Sequence, residues 1–258
     1  MSLAAPPARR PSPIAWQIAT VTAIRAETPR VKSLTLAAPS WPGHRAGQHV
    51  DLRLTAEDGY SVERSYSIGS EPERTDSFDI TVEEISDGEV SPFLDEEVIV
   101  GDRIEVRGPI GGYFVWEASG APAAEPLFLV AGGSGVVPLM AMLRHRARAG
   151  ARNPTRLLYS SRHLEEVIYR SELDALAAAD DGLEVVHTLT RSRPEGWTGY
   201  NRRIDDRMIA DALAPLGAGA RCFICGPTAL VEVAANSLVR LGLPPDRVRT
   251  ERFGPSGT

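Results

Sequence analysis

The second half of the chain alternates short apolar runs with amphipathic segments, and this alternation constrains the fold more than any other feature. Five apolar runs are typical of buried parallel strands, at residues 127–131, 155–160, 183–189, 222–225 and 248–253. Four segments between them have apolar residues at helical spacing, at residues 137–148, 165–179, 205–216 and 229–241. The pattern predicts a doubly wound α/β domain with a five-stranded parallel sheet.

The first half follows a different pattern, in which short alternating stretches are broken by Gly and Pro. Candidate strands lie at residues 16–24, 31–36, 49–54, 65–68, 78–83 and 103–107. They predict an antiparallel barrel or sandwich, of which we expect the β-barrel, interrupted by one short helix that starts near Ser91. We therefore expect a flexible leader at residues 1–15, a barrel domain at 16–118, a linker at 119–126 and an α/β domain at 127–258.

Composition and charge exclude several classes of function. The 258 residues have a formal net charge of -6, whereas nucleic-acid binders need clustered positive charge. No apolar run approaches the length of a membrane span. Cys222 and Cys225 lie within an apolar run and are too few for a zinc or iron–sulfur site, and the five histidines show no ligand spacing. We expect a cytoplasmic protein without a metal.

A glycine-rich segment follows the first strand of the α/β domain. Gly132, Gly133 and Gly135 lie where a strand gives way to a helix, and Pro138 suits the first helical turn, where its missing N–H costs nothing. Such a turn lets a phosphate approach the backbone and the positive end of the helix dipole. The alternative is a tight turn packed against the sheet. Because Pro138 takes the third glycine position, the GxGxxG dehydrogenase fingerprint is absent.

A second candidate segment, Arg64-Ser65-Tyr66-Ser67, lies on a barrel strand. Alternation puts Arg64 and Tyr66 on one face and Ser65 and Ser67 on the other. A guanidinium and a phenol side by side can hold a phosphate and stack on a flat ring. A tyrosine in a strand is more often only packed, so the segment alone is weak.

Five short motifs occur in a fixed order, at residues 64–67, 88–94, 108–114, 132–138 and 225–227. Together they resemble the ferredoxin–NADP reductase superfamily over nearly the whole chain, from about Trp16 to Phe253. The chain also resembles the reductase components of bacterial oxygenase systems, stripped to the flavin and nicotinamide domains.

The resemblance implies a flavin held by the barrel, with seven contributing residues: Arg64, Ser65, Tyr66, Ser67, Gly88, Val90 and Ser91. Arg64 would pair with a flavin phosphate, Tyr66 would lie against the isoalloxazine, and Ser67 would sit near its N5. The segment at residues 88–94 resembles a pyrophosphate site, which favours FAD over FMN. Ser91 is also a favourable N-cap residue, so its side chain has a structural alternative.

The resemblance also implies a nicotinamide nucleotide at the α/β domain, held by Gly132, Gly133, Gly135, Pro138, Ser161, Arg162, Thr190, Arg191, Gly226 and Pro227. The candidate catalytic residues are Ser67, Cys225, Glu251 and Phe253. In relatives the terminal aromatic shields the flavin until nicotinamide displaces it, and the acid moves protons or sets charge. Residues 254–258 continue beyond Phe253 and could themselves cover the flavin.

The choice between NADPH and NADH depends on the ends of the second and third strands. An NAD-selective site usually has an acid after the second strand, but here none occurs until Glu165. Thr190-Arg191 resembles the family's hydroxyl–arginine pair for the 2′-phosphate, a dianion that charge-assisted forks suit. We predict a preference for NADPH. The alternative is an exposed loop in an arginine-rich chain.

The implied reaction is hydride transfer from NADPH to the flavin N5 in a site between the two domains. Because two cysteines cannot ligate an iron–sulfur cluster, we expect electrons to pass to a separate ferredoxin, an oxygenase component or a small diffusible acceptor. Two alternatives are a free-flavin or ferric reductase, and a non-enzymatic redox sensor or electron-transfer subunit.

Overall fold

Two β-sheets of different kinds organise the described part of the chain. A computed structural model describes residues 14–56, 58–85, 90–118, 125–179 and 181–253. Over these ranges the first half forms a six-stranded antiparallel sheet and the second half a five-stranded parallel sheet with helices, as predicted. Gly88, residues 254–258 and most of the predicted leader and linker lie outside the described residues.

The antiparallel sheet curls into a barrel. Its strands are β1 (Trp16–Thr28), β2 (Val31–Ala37), β3 (His49–Thr55), β4 (Ser61–Ser67), β5 (Ser77–Glu83) and β6 (Arg103–Ile110), in the order β4-β3-β6-β1-β2-β5. The edge strands β4 and β5 meet at a bridge between Ile68 and Ile80. Inward-facing residues of alternating strands, such as Leu34, Leu36 and Leu52, are fully buried, which is the driving force for closure.

A short helix, α1 (Ser91–Glu96), covers part of the barrel. The prediction of Ser91 as an N-cap is wrong, because Val90 takes that position in a helical conformation without a side-chain cap. The Ser91 hydroxyl instead accepts the Ile85 N–H at 3.0 Å. The Ser91 hydroxyl thus connects the helix to the segment just after β5, and this hydrogen bond spans more residues than an N-cap bond does.

The parallel sheet consists of β7 (Leu127–Gly132), β8 (Thr155–Ser161), β9 (Leu183–Leu189), β10 (Arg221–Pro227) and β11 (Val248–Phe253), in the order β11-β10-β7-β8-β9. The helices between them are α2 (Val136–Arg148), α3 (Arg170–Ala177), α4 (Asp206–Leu213) and α5 (Thr228–Arg240). Asp205 caps α4 by accepting the Met208 N–H at 2.8 Å. Within the described ranges, no helix combines the length and apolarity needed to cross a bilayer.

The helix predicted over residues 165–179 is only partly present. Residues 164–166 form one 3₁₀ turn, Val167 is extended, and α3 begins only at Arg170. Val167 and Ile168 are buried in the core between sheet and barrel, and Tyr169 has a left-handed backbone. The spacing of Val167 and Ile168 fits the apolar period of a helix, but both side chains reach the core only because this segment is extended.

The two domains share one hydrophobic core. Val31, Ala46 and Phe114 come from the first half but pack among buried residues of β7, α2 and β10. The ring of Phe114 meets Phe223 edge-on at 5.3 Å. Across the same boundary, the Arg249 guanidinium donates to the carbonyl oxygens of residues 113 and 115 at 2.7 and 3.0 Å. These contacts fix where the barrel faces the sheet.

Candidate active site

A cleft of about 300 Å³ opens between the barrel and the carboxyl ends of β7, β8 and β10. The α/β domain forms most of its wall, and the barrel contributes the β1–β2 turn and the end of β5. The lining residues are Thr28, Pro29, Arg30, Val31, Glu83, Gly132, Gly133, Ser160, Ser161, Arg162, Glu165, Glu166, Ile168, Thr190, Pro227, Leu230 and Phe253. Open parallel sheets bind ligands at this kind of position.

The glycine-rich segment after β7 contributes backbone, without side chains, to the cleft. Gly133 lines it beside Gly132 and has φ +54°, a left-handed conformation that favours glycine. A Cβ on Gly135 would overlap the carbonyl oxygen of Cys225 and lie 2.8 Å from the Gly226 nitrogen. The glycines therefore bring the loop against β10 and leave a cradle of the kind that phosphate groups occupy.

Two residues assigned to the nucleotide lie behind the cleft wall rather than in it. Gly135 is buried against β10, and Pro138 is the buried third residue of α2, in the first helical turn as predicted. Neither lines the cleft. Their contribution in this structure is to the shape of the loop.

The ends of β8 and β9 add polar groups to the cleft. Ser161 lines it, and its buried hydroxyl has no hydrogen-bond partner among the described residues. The Thr190 hydroxyl donates to the carbonyl oxygen of Ser161 at 3.3 Å. Arg162 lines the cleft, whereas the exposed Arg191 lies outside the lining and donates its backbone N–H to the Arg162 carbonyl at 2.9 Å. A buried hydroxyl without a partner fits a bound polar ligand.

Several charged residues of the cleft escape sequence reasoning. Arg30 comes from the β1–β2 turn and Glu83 from the end of β5, where the Glu83 carboxylate lies 4.0 Å from the position of a Cβ on Gly133. Neither position belongs to a motif, because only the packing of barrel on sheet brings them to the cleft. Glu165 and Glu166 also line it, so carboxylates lie in the cleft although none follows β8 directly.

Glu251 lies beside Cys225 in the parallel register of β11 and β10. Burial raises the pKa of the Glu251 carboxyl from its usual 4.5 to about 7, and its Oε2 is buried without a hydrogen-bond partner among the described residues. Burial, and secondarily the Glu251 charge, raises the pKa of the Cys225 thiol well above its usual value. Cys225 is thus a neutral thiol beside a carboxyl that titrates near neutrality. Phe253, two residues beyond Glu251, lines the cleft and is 36% exposed.

The Arg-x-Tyr-Ser segment occupies the second half of β4. Tyr66 is half-buried against the barrel core, and burial raises the pKa of its phenol to about 12. Arg64 is exposed and donates to the carbonyl oxygen of Glu63 at 2.8 Å. The Ser65 hydroxyl points to the other face, where it donates to Asp51 at 2.6 Å.

Strand β4 stands at the edge of its sheet. Among the described residues it pairs with β3 along its whole length. The segment that follows it reaches β5 through the Ile68–Ile80 bridge, the Gly69 N–H donated to the Asp79 carbonyl, and the Asp79 N–H donated to the Ser70 hydroxyl. Ser67 is half-buried and pairs with His49. Residues 64–67 do not line the cleft. The chain reaches the domain boundary two residues after β4, where Gly69 meets Tyr169 and Arg144. Val90 is buried in the barrel core.

A larger cavity, of about 690 Å³, lies elsewhere in the barrel between the end of β3, the start of β4, α1 and the start of β6. Its lining is Arg53, Leu54, Thr55, Ala56, Tyr60, Val62, Phe93, Val98, Asp102, Arg103, Ile104 and Glu105. None of these residues was assigned to either cofactor. The interdomain cleft, with its glycine cradle and unpartnered hydroxyl, is therefore the candidate active site.

Comparison with known proteins assigns a different family model to each of the two domains. The family model described as "Oxidoreductase FAD-binding domain" matches residues 19–115, and "Oxidoreductase NAD-binding domain" matches residues 129–236. Fold and site thus define an oxidoreductase with one domain for FAD and one for a nicotinamide nucleotide. Ferredoxin–NADP reductase B from Sorangium cellulosum is 34% identical over 242 residues, 91% of this chain and 96% of that protein. The chain belongs to the ferredoxin–NADP reductase family, as the motifs predicted.

Other relatives are longer than this chain. The glycine betaine monooxygenase reductase subunit of Pseudomonas aeruginosa is 33% identical over 214 residues, 82% of this chain and 57% of that protein. The chain therefore spans little more than half of the curated relatives that it matches first. The ferredoxin reductase in carbazole 1,9a-dioxygenase has a TM-score of 0.79 at 25% identity, covering 95% of this chain and 71% of that one.

Proposed function

We propose that the chain is a flavoprotein reductase that takes a hydride from NADPH and passes the electrons to a separate acceptor, a ferredoxin or an oxygenase component. The observation that carries the proposal is a side-chain-free glycine cradle at the carboxyl end of a parallel sheet, facing the flavin domain across one cleft. The chemistry that a bound FAD supplies is acceptance of a hydride and release of electrons to the acceptor.

Strand β4 is suited to hold the flavin. Arg64 and Tyr66 share a face, and the outer edge of the strand is mostly unpaired among the described residues, which leaves backbone donors and acceptors for a ligand. In this proposal Arg64 binds a flavin phosphate, the neutral Tyr66 phenol packs on the ring, and Ser67 lies near N5. The roles of Gly88, Val90 and Ser91 at the pyrophosphate stay predictions from the resemblance.

The cleft is suited to the dinucleotide. Gly132 and Gly133 present backbone at the start of the 13-residue α2, where N–H groups and the helix dipole favour a pyrophosphate. The unpartnered Ser161 hydroxyl offers a hydrogen bond to the adenosine side of the ligand. Gly226 and Pro227, at the end of β10, would then border the nicotinamide, with Phe253 covering the same space until the nucleotide enters.

Glu251 is suited to hold a proton next to the reacting groups. With a pKa near 7, its carboxyl is partly protonated at neutral pH and can donate or accept at the unpartnered Oε2. A general acid works best when its pKa lies close to the working pH. The Cys225 thiol stays neutral and supplies no charge. In this proposal Cys225 acts through its backbone carbonyl, against which the glycine loop packs at Gly135.

The preference for NADPH is the finer part of the proposal. Thr190 and Arg162 line the cleft, and Arg191 follows Thr190 on the same exposed turn. They support recognition of a 2′-phosphate by charge-assisted hydrogen bonds. Glu165 and Glu166 in the same cleft suit the free ribose hydroxyls of NADH, so the test must compare the two nucleotides directly.

The first experiment identifies the flavin and the preferred nucleotide. Flavin released from the purified protein should be FAD, and anaerobic addition of NADPH should bleach the bound flavin. We expect kcat/KM to be higher for NADPH than for NADH. Arg191→Ala should lower kcat/KM for NADPH by about tenfold, the loss of one charged hydrogen bond, with little change for NADH.

Arg207→Ala provides the matched control, because Arg207 is a highly exposed arginine on α4 with a distant partner, 3.9 Å from Asp211. It should leave both nucleotides unchanged. A higher kcat/KM for NADH in the unmodified protein would overturn the NADPH preference while leaving the reductase assignment standing.

The acceptor is proposed from the relatives, whose names are those of oxygenase reductase components and a ferredoxin–NADP reductase. Turnover with a ferredoxin or cytochrome as acceptor should exceed turnover with free flavin or ferric chelates. A faster reaction with the small acceptors would favour the free-flavin or ferric reductase alternative. If neither nucleotide bleaches the flavin, a redox sensor or electron-transfer subunit is favoured. We retain a cytoplasmic location as part of the proposal because both thiols are free.

A further inference from the structure

Tyr169 is the one non-glycine residue with a left-handed backbone among the described residues, with φ 59° and ψ 23°. A side chain in this conformation crowds its own backbone. Such strain persists only where the surroundings over-determine the conformation, and it concentrates at functional sites. The contacts of Tyr169 therefore identify what holds it.

The side chain of Tyr169 leaves its own domain and enters the boundary with the barrel. It is 3% exposed, and its hydroxyl is hydrogen-bonded to the hydroxyl of Thr81 in β5. Thr81 is 2.7 Å from the Ser33 hydroxyl, which donates to Glu27 at 2.6 Å. With Glu27 as the final acceptor, each hydroxyl donates to the next. Tyr169 is thus the donor that begins a chain of hydrogen bonds across the barrel wall.

Arg144 of α2 completes the contact. Its guanidinium lies 4.8 Å from the centre of the Tyr169 ring, forms a two-pronged bond with Glu172 at 2.8 and 2.7 Å, and donates to the carbonyl oxygen of Gly69 at 2.6 Å. Gly69 follows the flavin strand β4 by two residues, and a Cβ there would lie 3.0 Å from the Tyr169 hydroxyl. Tyr169 and Arg144 together hold the end of that strand.

Tyr169 is also connected to the cleft proposed for the nucleotide, through the residue that precedes it. Its neighbour Ile168 lines the cleft and donates its N–H to the Tyr159 hydroxyl at 3.2 Å. Two consecutive residues therefore connect the wall of the nucleotide cleft to the end of β4. A shift of Tyr169 would change the distance between the two.

We propose that Tyr169 is a positioning residue: its hydroxyl, with Thr81 and the Arg144 guanidinium, fixes the separation between the nucleotide cleft and the flavin strand. The inference rests on the proposed function, because its consequence is the geometry of hydride transfer. Misplacement by about 1 Å from a residue outside the chemistry costs up to about a hundredfold in rate. The competing explanation is that Tyr169 only fills the interface.

Tyr169→Phe separates these explanations because it removes the hydroxyl and keeps the ring. In the FAD-loaded protein under anaerobic rapid mixing, we expect the limiting rate of flavin reduction at saturating NADPH to fall about tenfold or more. The nucleotide dissociation constant should stay within about twofold and the flavin content unchanged. Thr81→Val should have the same effect, and the double variant should be no slower than the slower single variant.

A second measurement does not depend on turnover. NADP⁺ added to the oxidised holoprotein should perturb the visible flavin spectrum when the two rings meet, and Tyr169→Phe should weaken that perturbation at equal nucleotide saturation. Thr35→Val is the matched control, because the Thr35 hydroxyl donates to Asp79 at 2.8 Å within the barrel and has no part in the interdomain chain. It should change neither the spectrum nor the rate.

If Tyr169→Phe lowers the melting temperature without changing the limiting rate or the difference spectrum, the positioning role is overturned. That result would show that Tyr169 only fills the interface. Strictly additive rate effects of Tyr169→Phe and Thr81→Val would also overturn it. If the unmodified protein is reduced by neither nucleotide, the proposed function fails. If NADP⁺ still perturbs the flavin spectrum of the unmodified protein, a weaker perturbation in Tyr169→Phe supports the positioning role and an equal one overturns it. If NADP⁺ causes no perturbation in the unmodified protein, the positioning role is overturned as well.

Discussion

Glu251 is half-buried, and its Oε2 is buried without a hydrogen-bond partner in the part of the chain that the structure describes. Burial raises its pKa from 4.5 to about 7. Between these values the folded chain holds a proton that the unfolded chain has released. Stability therefore falls as the pH rises from 4.5, and the full cost is present above pH 7, where the buried carboxylate is charged. Below pH 4.5 this residue contributes no difference.

Glu251→Gln should therefore stabilise the protein at high pH and only there. A shift of this size corresponds to a gain of about 3 kcal/mol at pH 8, shrinking to nothing near pH 4.5. Urea unfolding at a series of pH values measures it. Glu232→Gln, on the exposed face of α5, is the control and should show no such trend. A gain independent of pH would contradict the assignment.

Sequence reasoning reached some of these residues and not others. Ser161 and Thr190 were predicted because they lie at the ends of recognisable strands, and Glu251 and Phe253 because they resemble the family's chain ending. Arg30 and Glu83 were not predicted. The local sequence of a hairpin turn or of a strand end does not show which part of the fold it will pack against. Tyr169 was missed for a different reason. Its surroundings, and not its residue type, impose the left-handed backbone.

At the scale of elements, the turn from β7 into α2 depends on contact with β10. The absence of a side chain at Gly135 allows the loop to touch the Cys225 carbonyl and the Gly226 nitrogen. Both are backbone groups of a buried central strand, so neither can move aside cheaply. The shape of the nucleotide cradle thus depends on a close approach of backbone to backbone.

Gly135→Ala should both destabilise the fold and weaken nucleotide binding. Overpacking of this kind costs about 1–3 kcal/mol, and we expect NADPH affinity to fall by more than about tenfold as the loop is pushed from β10. Unfolding and binding titrations measure the two effects. Gly219→Ala, where an added Cβ meets nothing within 4 Å, should alter neither. An unchanged affinity in Gly135→Ala would contradict the proposed cradle.

The strands of the α/β domain could be predicted because buried parallel strands are continuous apolar runs. The predicted run at residues 183–189 coincides with β9, and β10 is longer only at its ends. The prediction failed for the segment before α3, because the spacing of apolar residues over 165–179 fits a helix as well as it fits the observed extended segment. Tertiary contacts of Val167 and Ile168 with the shared core decide against it.

At the scale of the whole molecule, the boundary between the domains is a core and not a loose contact. Phe114 belongs to the chain of the first domain, yet only 5% of it is exposed, and it packs among residues of the second. Polar contacts also cross this boundary: the His145 Nδ1 lies 2.6 Å from the Glu73 carboxylate, and the Arg148 guanidinium lies 3.7 Å from that of Glu71. We expect the two domains to unfold together.

Phe114→Ala tests that coupling. Removing a buried phenylalanine costs about 3–5 kcal/mol, and here the loss falls on the interface. In calorimetry the unmodified protein should give a single transition, and Phe114→Ala should give two at lower temperatures. Phe114→Leu keeps most of the apolar contact and should retain one transition. Two resolved transitions in the unmodified protein would contradict the shared core.

The order of the two domains could be predicted from the change in pattern near residue 120, but their mutual arrangement could not. Phe114 packing on Phe223, or the β1–β2 turn reaching the cleft, joins segments that are far apart in sequence. Such contacts leave no periodicity in either segment. Only the family resemblance indicated a site between the domains.

The burial of both cysteines has a practical consequence. Cys222 and Cys225 are 0% and 2% exposed, and burial raises the pKa of the Cys222 thiol to about 12. Because alkylating reagents attack the thiolate, neither native cysteine should react with them in the folded protein. A cysteine introduced on each domain surface would then react selectively. Probes could thus be attached on either side of the cleft to follow its opening, with the native sequence otherwise intact.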